Sequence, residues 1–279
     1  MTTTVVRTRA ALRTVLADSP HPIGLVPTMG WLHDGHRALM QRARADDRTT
    51  VVSIFVNPRQ FGDPSDLARY PRNERRDVAI CEAEGVDIVF APTADEVYPP
   101  GFDTTVHVGE IAEPLEGKAR PGHFEGVATV VAILLGLVRA EHAYFGQKDA
   151  QQVAVIRRMA IDLAIPTEVV ACPTVRESDG LAMSSRNVHL TRDERAAAPV
   201  LHRALVAARE AWERGERSAE ALRSIMKSVL AEEPLARVEY VSCADAGSLQ
   251  ELHRVTGPAV LSLAVHLGAT RLIDNEPLG

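Results

Sequence analysis

The stretch IGLVPTMGWLHDGHRALMQRARAD, residues 23–46, decides the fold. The apolar run at 23–28 predicts a buried strand, and the turn after it contains two glycines and two histidines. From residue 34 the chain has the residue pattern of a helix, so the stretch predicts strand, tight turn and helix. Units of this kind build a parallel sheet that helices cover on both faces.

The same alternation continues along the chain. Apolar, β-branched runs predict further strands at 49–58, 86–92, 142–147 and 166–173. Helical patterns separate them, among them 73–85 and the uncharged run 126–138, and residues 1–20 are expected to form a first amphipathic helix. We therefore predict an α/β fold, a Rossmann-like doubly wound parallel sheet, over residues 1–174.

The order of predicted strands and helices changes after residue 175. Residues 191–216 predict one long helix, with Thr191 as N-cap and Glu194 completing a capping box. A second helix is expected to end near residue 232, and short strands follow at 238–245, 259–268 and 270–275. Residues 175–279 are therefore predicted to form a smaller C-terminal α+β domain.

Charge, hydrophobic runs and cysteine content limit the classes of function that the sequence allows. The 279 residues carry a net charge of -6 without a basic stripe, which argues against nucleic acid as a partner. The uncharged run at 126–138 is too short to span a bilayer, so no membrane association is expected. The three cysteines (Cys81, Cys172 and Cys243) form no CxxC pair and predict reduced, buried thiols in a cytoplasmic protein.

Polar residues cluster immediately after four of the predicted strands. The clusters are residues 27–30, 57–61, 146–149 and 174–177. Because the carboxyl ends of parallel strands form the ligand crevice of an open α/β sheet, the clusters predict one site at that edge.

The first of these clusters runs into a turn suited to an anion. Gly30 and Gly35 leave the backbone accessible, and the helix N-terminus adds exposed N–H groups. His33 and His36 lie three residues apart on one side of the turn, although solvated helix residues have the same spacing. A zinc site lacks a third ligand nearby, and neither a P-loop nor a GxGxxG motif is present.

Two further features are typical of phosphate binding. Lys148 is one of three lysines in a chain with 31 Lys and Arg residues, and its ammonium suits a single phosphate oxygen, although an exposed loop lysine would give the same pattern. In the stretch GLAMSSRN, residues 180–187, Ser184, Ser185 and Arg186 are candidate hydrogen-bond donors to a polyphosphate. A serine-rich linker would have a similar sequence.

HDGH after the first strand and MSSRN after the last resemble the paired HxGH and KMSKS motifs of nucleotidylyltransferases and class I aminoacyl-tRNA synthetases. The chain is similar to the pantoate–β-alanine ligase family over nearly its whole length. The segments that carry this similarity, in order, are PTMGWLHDGH, VVSIFVNPRQF, DLARYPR, YFGQKDAQQ and PTVRESDGLAMSSRN. The resemblance implies ATP-dependent ligation of pantoate and β-alanine through a pantoyl adenylate, with AMP and pyrophosphate released. It also implies Mg2+, a cytoplasmic homodimer and a C-terminal domain that closes over the nucleotide.

The resemblance also assigns roles to particular residues. It implies His36 as proton donor, with His33 and Lys148 on the phosphates. The ATP-binding residues it implies are Met29, Gly30, Trp31, Leu32, His33, Asp34, Gly35, His36, Gly146, Gln147, Lys148, Asp149, Val175, Met183, Ser184, Ser185 and Arg186. Gln60 would contact pantoate and β-alanine, and Gln152 pantoate. Asn57 and Tyr70 are further substrate-binding candidates, and Asp77 is a candidate metal ligand.

Four positions depart from the family pattern. Trp31 stands where a small residue is usual, Asp34 replaces glutamate, and Arg76 replaces an acid beside Asp77, while Glu125 is an unexpected acid. Two other functions share the histidine turn: a nucleotidylyltransferase that acts on a phosphate acceptor, and a non-catalytic nucleotide-binding regulator.

Overall fold

A computed structural model describes residues 3–279, and its larger sheet has six parallel strands. They are β1 (Thr4–Val6), β2 (Ile23–Thr28), β3 (Thr49–Ile54), β4 (Ile88–Phe90), β5 (His142–Gly146) and β6 (Glu168–Cys172). Their spatial order is β1-β4-β3-β2-β5-β6. The chain thus adds strands on one side of β2 and then on the other, which makes the β2–β5 boundary a topological switch point.

Helices cover this sheet on both faces, as the sequence predicts. They are α1 (Arg9–Ala17), α2 (Asp34–Asp46), α3 (Pro64–Arg69), α4 (Glu74–Ala83), α5 (Ala94–Val97), α6 (Glu116–Ala119), α7 (His123–Val138) and α8 (Ala150–Asp162). One buried cluster joins the sheet to α1, α7 and α8, and another joins it to α2 and α4. The prediction of a doubly wound Rossmann-like sheet is confirmed.

The N-terminal segment differs from its prediction. The helix expected over residues 1–20 begins only at Arg9, where Thr8 caps it by accepting from Ala11 N. Residues 4–6 instead form β1, which pairs with β4 at the edge of the sheet. A three-residue strand carries too little periodicity to be separated from the helix that follows it.

The smaller sheet is antiparallel, and helices accompany it. Its strands are β7 (Ala236–Asp245), β8 (Ala259–Leu267) and β9 (Thr270–Leu278), and the helices are α9 (Arg192–Ala197), α10 (Val200–Glu213) and α11 (Ala219–Ala231). The capping box of Thr191 and Glu194 is confirmed. The single long helix predicted over 191–216 is wrong, because Pro199 interrupts it between α9 and α10.

The chain divides into two compact units. Residues up to Gly146 group with Gln152–Pro173, and Gln147–Gln151 group with Thr174–Gly279. The predicted boundary after residue 174 instead places residues 147–151 and residue 174 in the first unit. In the described residues the three cysteines are buried, and no helix is long and apolar enough to cross a membrane.

Candidate active site

The turn between β2 and α2 lies at the switch point and has a strained backbone. Gly30 and Trp31 both have positive φ, +79° and +50°. A β-carbon on Gly30 would lie 3.0 Å from Asp77 Oδ2, so glycine meets both the conformation and the space. Trp31 gains no such freedom, and its left-handed conformation has to be held by its surroundings.

Asp77 of α4 stabilises this conformation of Trp31 by hydrogen bonds. Its Oδ2 accepts from Trp31 N at 2.8 Å and its Oδ1 from Leu32 N at 2.9 Å. The carboxylate is buried, and hydrogen bonds to a charged acceptor are the stronger kind. These contacts give Asp77 a structural role in the turn. The metal role that the resemblance implies for Asp77 stays a prediction.

Two departures from the family pattern, Trp31 and Arg76, contact each other. The Arg76 guanidinium lies 5.0 Å from the centroid of the Trp31 ring, a cation–π distance. Arg76 also donates to Leu32 O at 2.8 Å and to Asp77 Oδ1 at 3.2 Å. The arginine therefore packs on the enlarged side chain and adds a second contact to the same turn.

His33 and His36 form a capping box at the start of α2. His33 Nδ1 accepts from Gly35 N, and His36 Nδ1 accepts from His33 N, each at 3.2 Å. The two rings lie 4.1 Å apart by their centroids. Imidazoles here replace the usual Ser/Thr and Glu pair of a capping box.

This capping fixes the tautomer of both rings. Because each Nδ1 accepts a backbone N–H, the proton of a neutral ring resides on Nε2. In its neutral form each histidine therefore has its ring N–H at Nε2, close to the positive end of the α2 dipole. Two oriented donors at a helix N-terminus suit an anion such as a phosphate group.

Asn57, which follows β3, is fully engaged by protein atoms. Its Nδ2 donates to Gln60 Oε1 and Gly126 O, each at 3.0 Å. Its Oδ1 accepts from Arg59 N at 3.2 Å and from the Tyr98 hydroxyl at 2.7 Å. A side-chain amide has two donors and two lone pairs, so these contacts favour a structural role for Asn57 over direct substrate contact.

The backbone of the same turn is packed tightly against the start of α7. A β-carbon on Gly126 would lie 2.3 Å from Arg59 O and 2.7 Å from Gln60 N, so the turn touches α7 where that residue is glycine. Gln60 O lies 2.9 Å from His123 Nδ1. The backbone that carries Gln60 is thereby fixed.

The remaining predicted substrate residues of the first unit occupy different environments. Tyr70 is buried, with its ring edge-on to Phe61 at 5.7 Å between centroids. Gln152 is half-buried on α8. Their contact with substrate stays a prediction.

In the second unit, Lys148 lies on a short 3-10 turn, residues 147–149. Its Nζ is 3.4 Å from Asp149 Oδ1, and its side chain is 17% exposed. Asn275 of β9 donates to Gln147 O at 2.9 Å and to Lys148 O at 2.8 Å. Sequence reasoning missed Asn275, because nothing local marks an amide that anchors a segment more than a hundred residues earlier.

The MSSRN segment follows a narrow loop in the same unit. Met183 N donates to Val175 O at 3.0 Å, which closes the loop at its base. Arg176 donates to both carboxylate oxygens of Asp274, at 2.6 and 3.1 Å, and so ties the loop to β9. Ser184 caps the turn that follows by accepting from Arg186 N.

No metal centre is built from side chains in residues 3–279. The described part of the chain contains no group of three or more His, Cys, Asp or Glu side chains that could hold a metal ion.

A doubly wound sheet whose switch point carries a histidine-capped helix N-terminus defines a nucleotide-binding α/β protein of the HxGH type. Within this class the family model described as pantoate-beta-alanine ligase matches residues 1–277, and the chain belongs to that family.

Similar proteins cover nearly the whole chain. The pantothenate synthetase of Roseiflexus sp. (strain RS-1) is 59% identical over 97% of this chain and 98% of its own. A crystal structure of pantothenate synthetase from Thermus thermophilus has 47% identity and a TM-score of 0.94, with 98% of each chain covered. The ligase of Francisella tularensis, crystallised with β,γ ATP and β-alanine, has 34% identity and a TM-score of 0.80 over 98% of this chain and 97% of that one.

Proposed function

We propose that this chain joins pantoate to β-alanine with ATP, through a pantoyl adenylate, and releases AMP and pyrophosphate. The observation that carries the proposal is the pair of Nδ1-capped histidines at the start of α2, in a chain that belongs to the pantoate–β-alanine ligase family. The relative crystallised with an ATP compound and β-alanine supports two of the three substrates.

In the first step, a carboxylate oxygen of pantoate attacks the α-phosphorus of ATP, and the bond to pyrophosphate breaks. Negative charge builds on the α-phosphate oxygens in the transition state. Donors held in place before the reaction stabilise such charge without reorganising. His33 and His36 serve this role as hydrogen-bond donors through Nε2–H, and no protein nucleophile is needed.

In the second step, the amine of β-alanine attacks the acyl carbon of the adenylate. The carbon–oxygen bond to AMP breaks, an amide forms, and the protons released by the amine pass to the departing AMP phosphate and to solvent. Gln60 and Gln152 bind pantoate, Gln60 also faces β-alanine, and Tyr70 shapes the substrate site. Amide groups suit the hydroxyls and carboxylate of a small hydroxy acid.

The nucleotide is bound by two sets of residues in this proposal. The first set is Met29 through His36 together with Gly146. The second is Gln147, Lys148, Asp149, Val175, Met183, Ser184, Ser185 and Arg186. Lys148 binds a phosphate oxygen as a point charge, and the Asn275 contacts to its backbone support a fixed position for it.

Mg2+, oligomeric state and location complete the proposal. Mg2+ would accompany ATP and offset the negative charge of its phosphates, since Mg2+ at such sites is bound largely by substrate phosphates. The protein acts in the cytoplasm as a homodimer, which light scattering after size-exclusion chromatography tests directly.

The decisive experiment incubates the protein with ATP, pantoate and β-alanine and measures AMP and pyrophosphate. We expect both products only when pantoate is present, and pantothenate only when β-alanine is added. Formation of a nucleotidylated phosphate acceptor would indicate a nucleotidylyltransferase instead. ATP binding without any AMP would indicate a regulator.

A further inference from the structure

The amide of Asn57 can adopt only one orientation. Arg59 N is a backbone donor and Gly126 O is a backbone acceptor, and neither can exchange its role. The oxygen of Asn57 must therefore face Arg59, and its nitrogen must face Gly126. Two backbone groups thus assign the two ends of the Asn57 amide.

The orientation of Asn57 determines that of its two side-chain partners. The second N–H of Asn57 points at the Gln60 amide, so the Gln60 atom 3.0 Å away must be the acceptor, Oε1. Asn57 Oδ1 has a second lone pair, and the Tyr98 hydroxyl oxygen lies 2.7 Å from Oδ1, so the hydroxyl must donate. Burial raises the pKa of Tyr98 to about 12, so the hydroxyl keeps its proton at neutral pH.

We propose that Tyr98 is a positioning residue that acts through Asn57 to commit Gln60 to donating, from Nε2–H, to an oxygen of pantoate. This inference rests on the proposed function. Because the contact with Asn57 fixes which end of the Gln60 amide is Oε1, the Nε2–H groups form the opposite end, and they suit a carboxylate or hydroxyl oxygen. Of β-alanine, only the carboxylate could accept from these N–H groups, because its ammonium group offers no lone pair.

The aromatic surroundings hold the Tyr98 ring independently of its hydroxyl. Its ring lies 5.1 Å from that of Phe102 and 6.1 Å from that of Phe55 by their centroids, with the Arg59 guanidinium 5.2 Å away. Tyr98→Phe therefore keeps the packing and removes one donor. The substitution isolates the hydrogen bond to Asn57.

Gln60→Glu is the sharper variant. It preserves an oxygen acceptor for Asn57 and replaces the outward donor with an acceptor of nearly identical shape. We expect pantoate affinity, measured by calorimetry with a non-hydrolysable ATP analogue, to fall at least tenfold, which corresponds to losing one hydrogen bond to a charged group. The affinity for the ATP analogue should stay within twofold of the wild type.

The double variant tests the connection between the two residues. Tyr98→Phe alone should lower pantoate affinity about threefold to tenfold, the loss expected for one neutral hydrogen bond. In the Gln60→Glu background it should add nothing, because Tyr98 acts through Gln60. Tyr144→Phe, which removes a hydroxyl bound to Asp47, is the matched control and should leave pantoate affinity unchanged.

Three outcomes would overturn the inference. The first is a Gln60→Glu variant that binds pantoate as the wild type does, and the second is a Tyr98→Phe effect that adds fully to it. The third is equal loss of pantoate and nucleotide affinity in Tyr98→Phe. A wild-type protein that makes no AMP with pantoate would instead overturn the proposed function, and this inference with it.

Discussion

Replacing Asp77 with asparagine should loosen the histidine turn. The side chain accepts two backbone N–H groups, from Trp31 and Leu32. An asparagine oxygen can replace only one of these acceptors, and its NH2 group would face the other N–H. A buried donor without an acceptor costs about 1–3 kcal/mol, and a lost charge-assisted hydrogen bond about 1.5–3 kcal/mol. Since these two estimates describe the same contact in part, we expect the free energy of unfolding to fall by about 2–4 kcal/mol.

The functional effect follows from the same contacts. Once Trp31 is released from its left-handed conformation, the Nε2 donors of His33 and His36 lose their fixed positions. We therefore expect the KM for ATP to rise about tenfold, equivalent to roughly 1.4 kcal/mol. Chemical denaturation measures the stability, and steady-state kinetics at saturating pantoate and β-alanine measure the KM.

Asp87→Asn is the matched control. Asp87 Oδ2 accepts a single backbone N–H, from Thr50 at 2.8 Å, which one asparagine oxygen can replace. This variant should lose less than about 1 kcal/mol and keep the wild-type KM for ATP. If Asp77→Asn retains full stability but needs several times more Mg2+ for activity, the structural role is refuted and Asp77 is a metal ligand.

The other predictions concern the proposed phosphate contacts and the pH dependence of stability. His36→Ala should slow adenylate formation about 10²–10³-fold, the loss typical of one preorganised donor, and near-normal turnover would contradict its role. Lys148→Arg should lower kcat/KM for ATP at least tenfold, while Lys227→Arg should not; equal behaviour would make Lys148 an ordinary surface lysine. The hydrogen bond that His142 Nδ1 donates to Asp47 raises the pKa of His142 above its ordinary 6.5. Protonated His142 therefore stabilises the folded state fully below pH 6.5, and this contribution is lost as pH rises through the raised pKa. The free energy of unfolding, measured by denaturation from about pH 6 to 8, should decline in the wild type and not in His142→Gln.

The strand–turn–helix unit was predictable because its signals are local. The apolar run of β2, the glycines of the turn and the helical pattern at 34–46 all lie within 24 residues. The helix bounds agree with the structure residue for residue. The chemistry of the turn was only half visible, because the spacing of His33 and His36 says nothing of which ring nitrogen meets the backbone.

The contacts that sequence reasoning missed are long-range. Asp77 binds the histidine turn from 45 or 46 positions away, and Tyr98 meets Asn57 across 41. A buried aspartate or tyrosine in isolation predicts no particular partner. Pro199 was a local signal that could have been used, since proline ends a helix at the preceding residue.

The anchoring of Lys148 by Asn275 also bears on how the protein is made. A ribosome adds Asn275 127 residues after Lys148, so the lysine segment of the second unit is synthesised well before it acquires this anchor. At about 5–20 residues per second, the delay lasts roughly 6–25 s. During that interval the nascent chain presents a sheet with its histidine turn while the lysine awaits the last strand. Given the phosphate contact that we propose for Lys148, the ability to bind ATP would arise only late in translation.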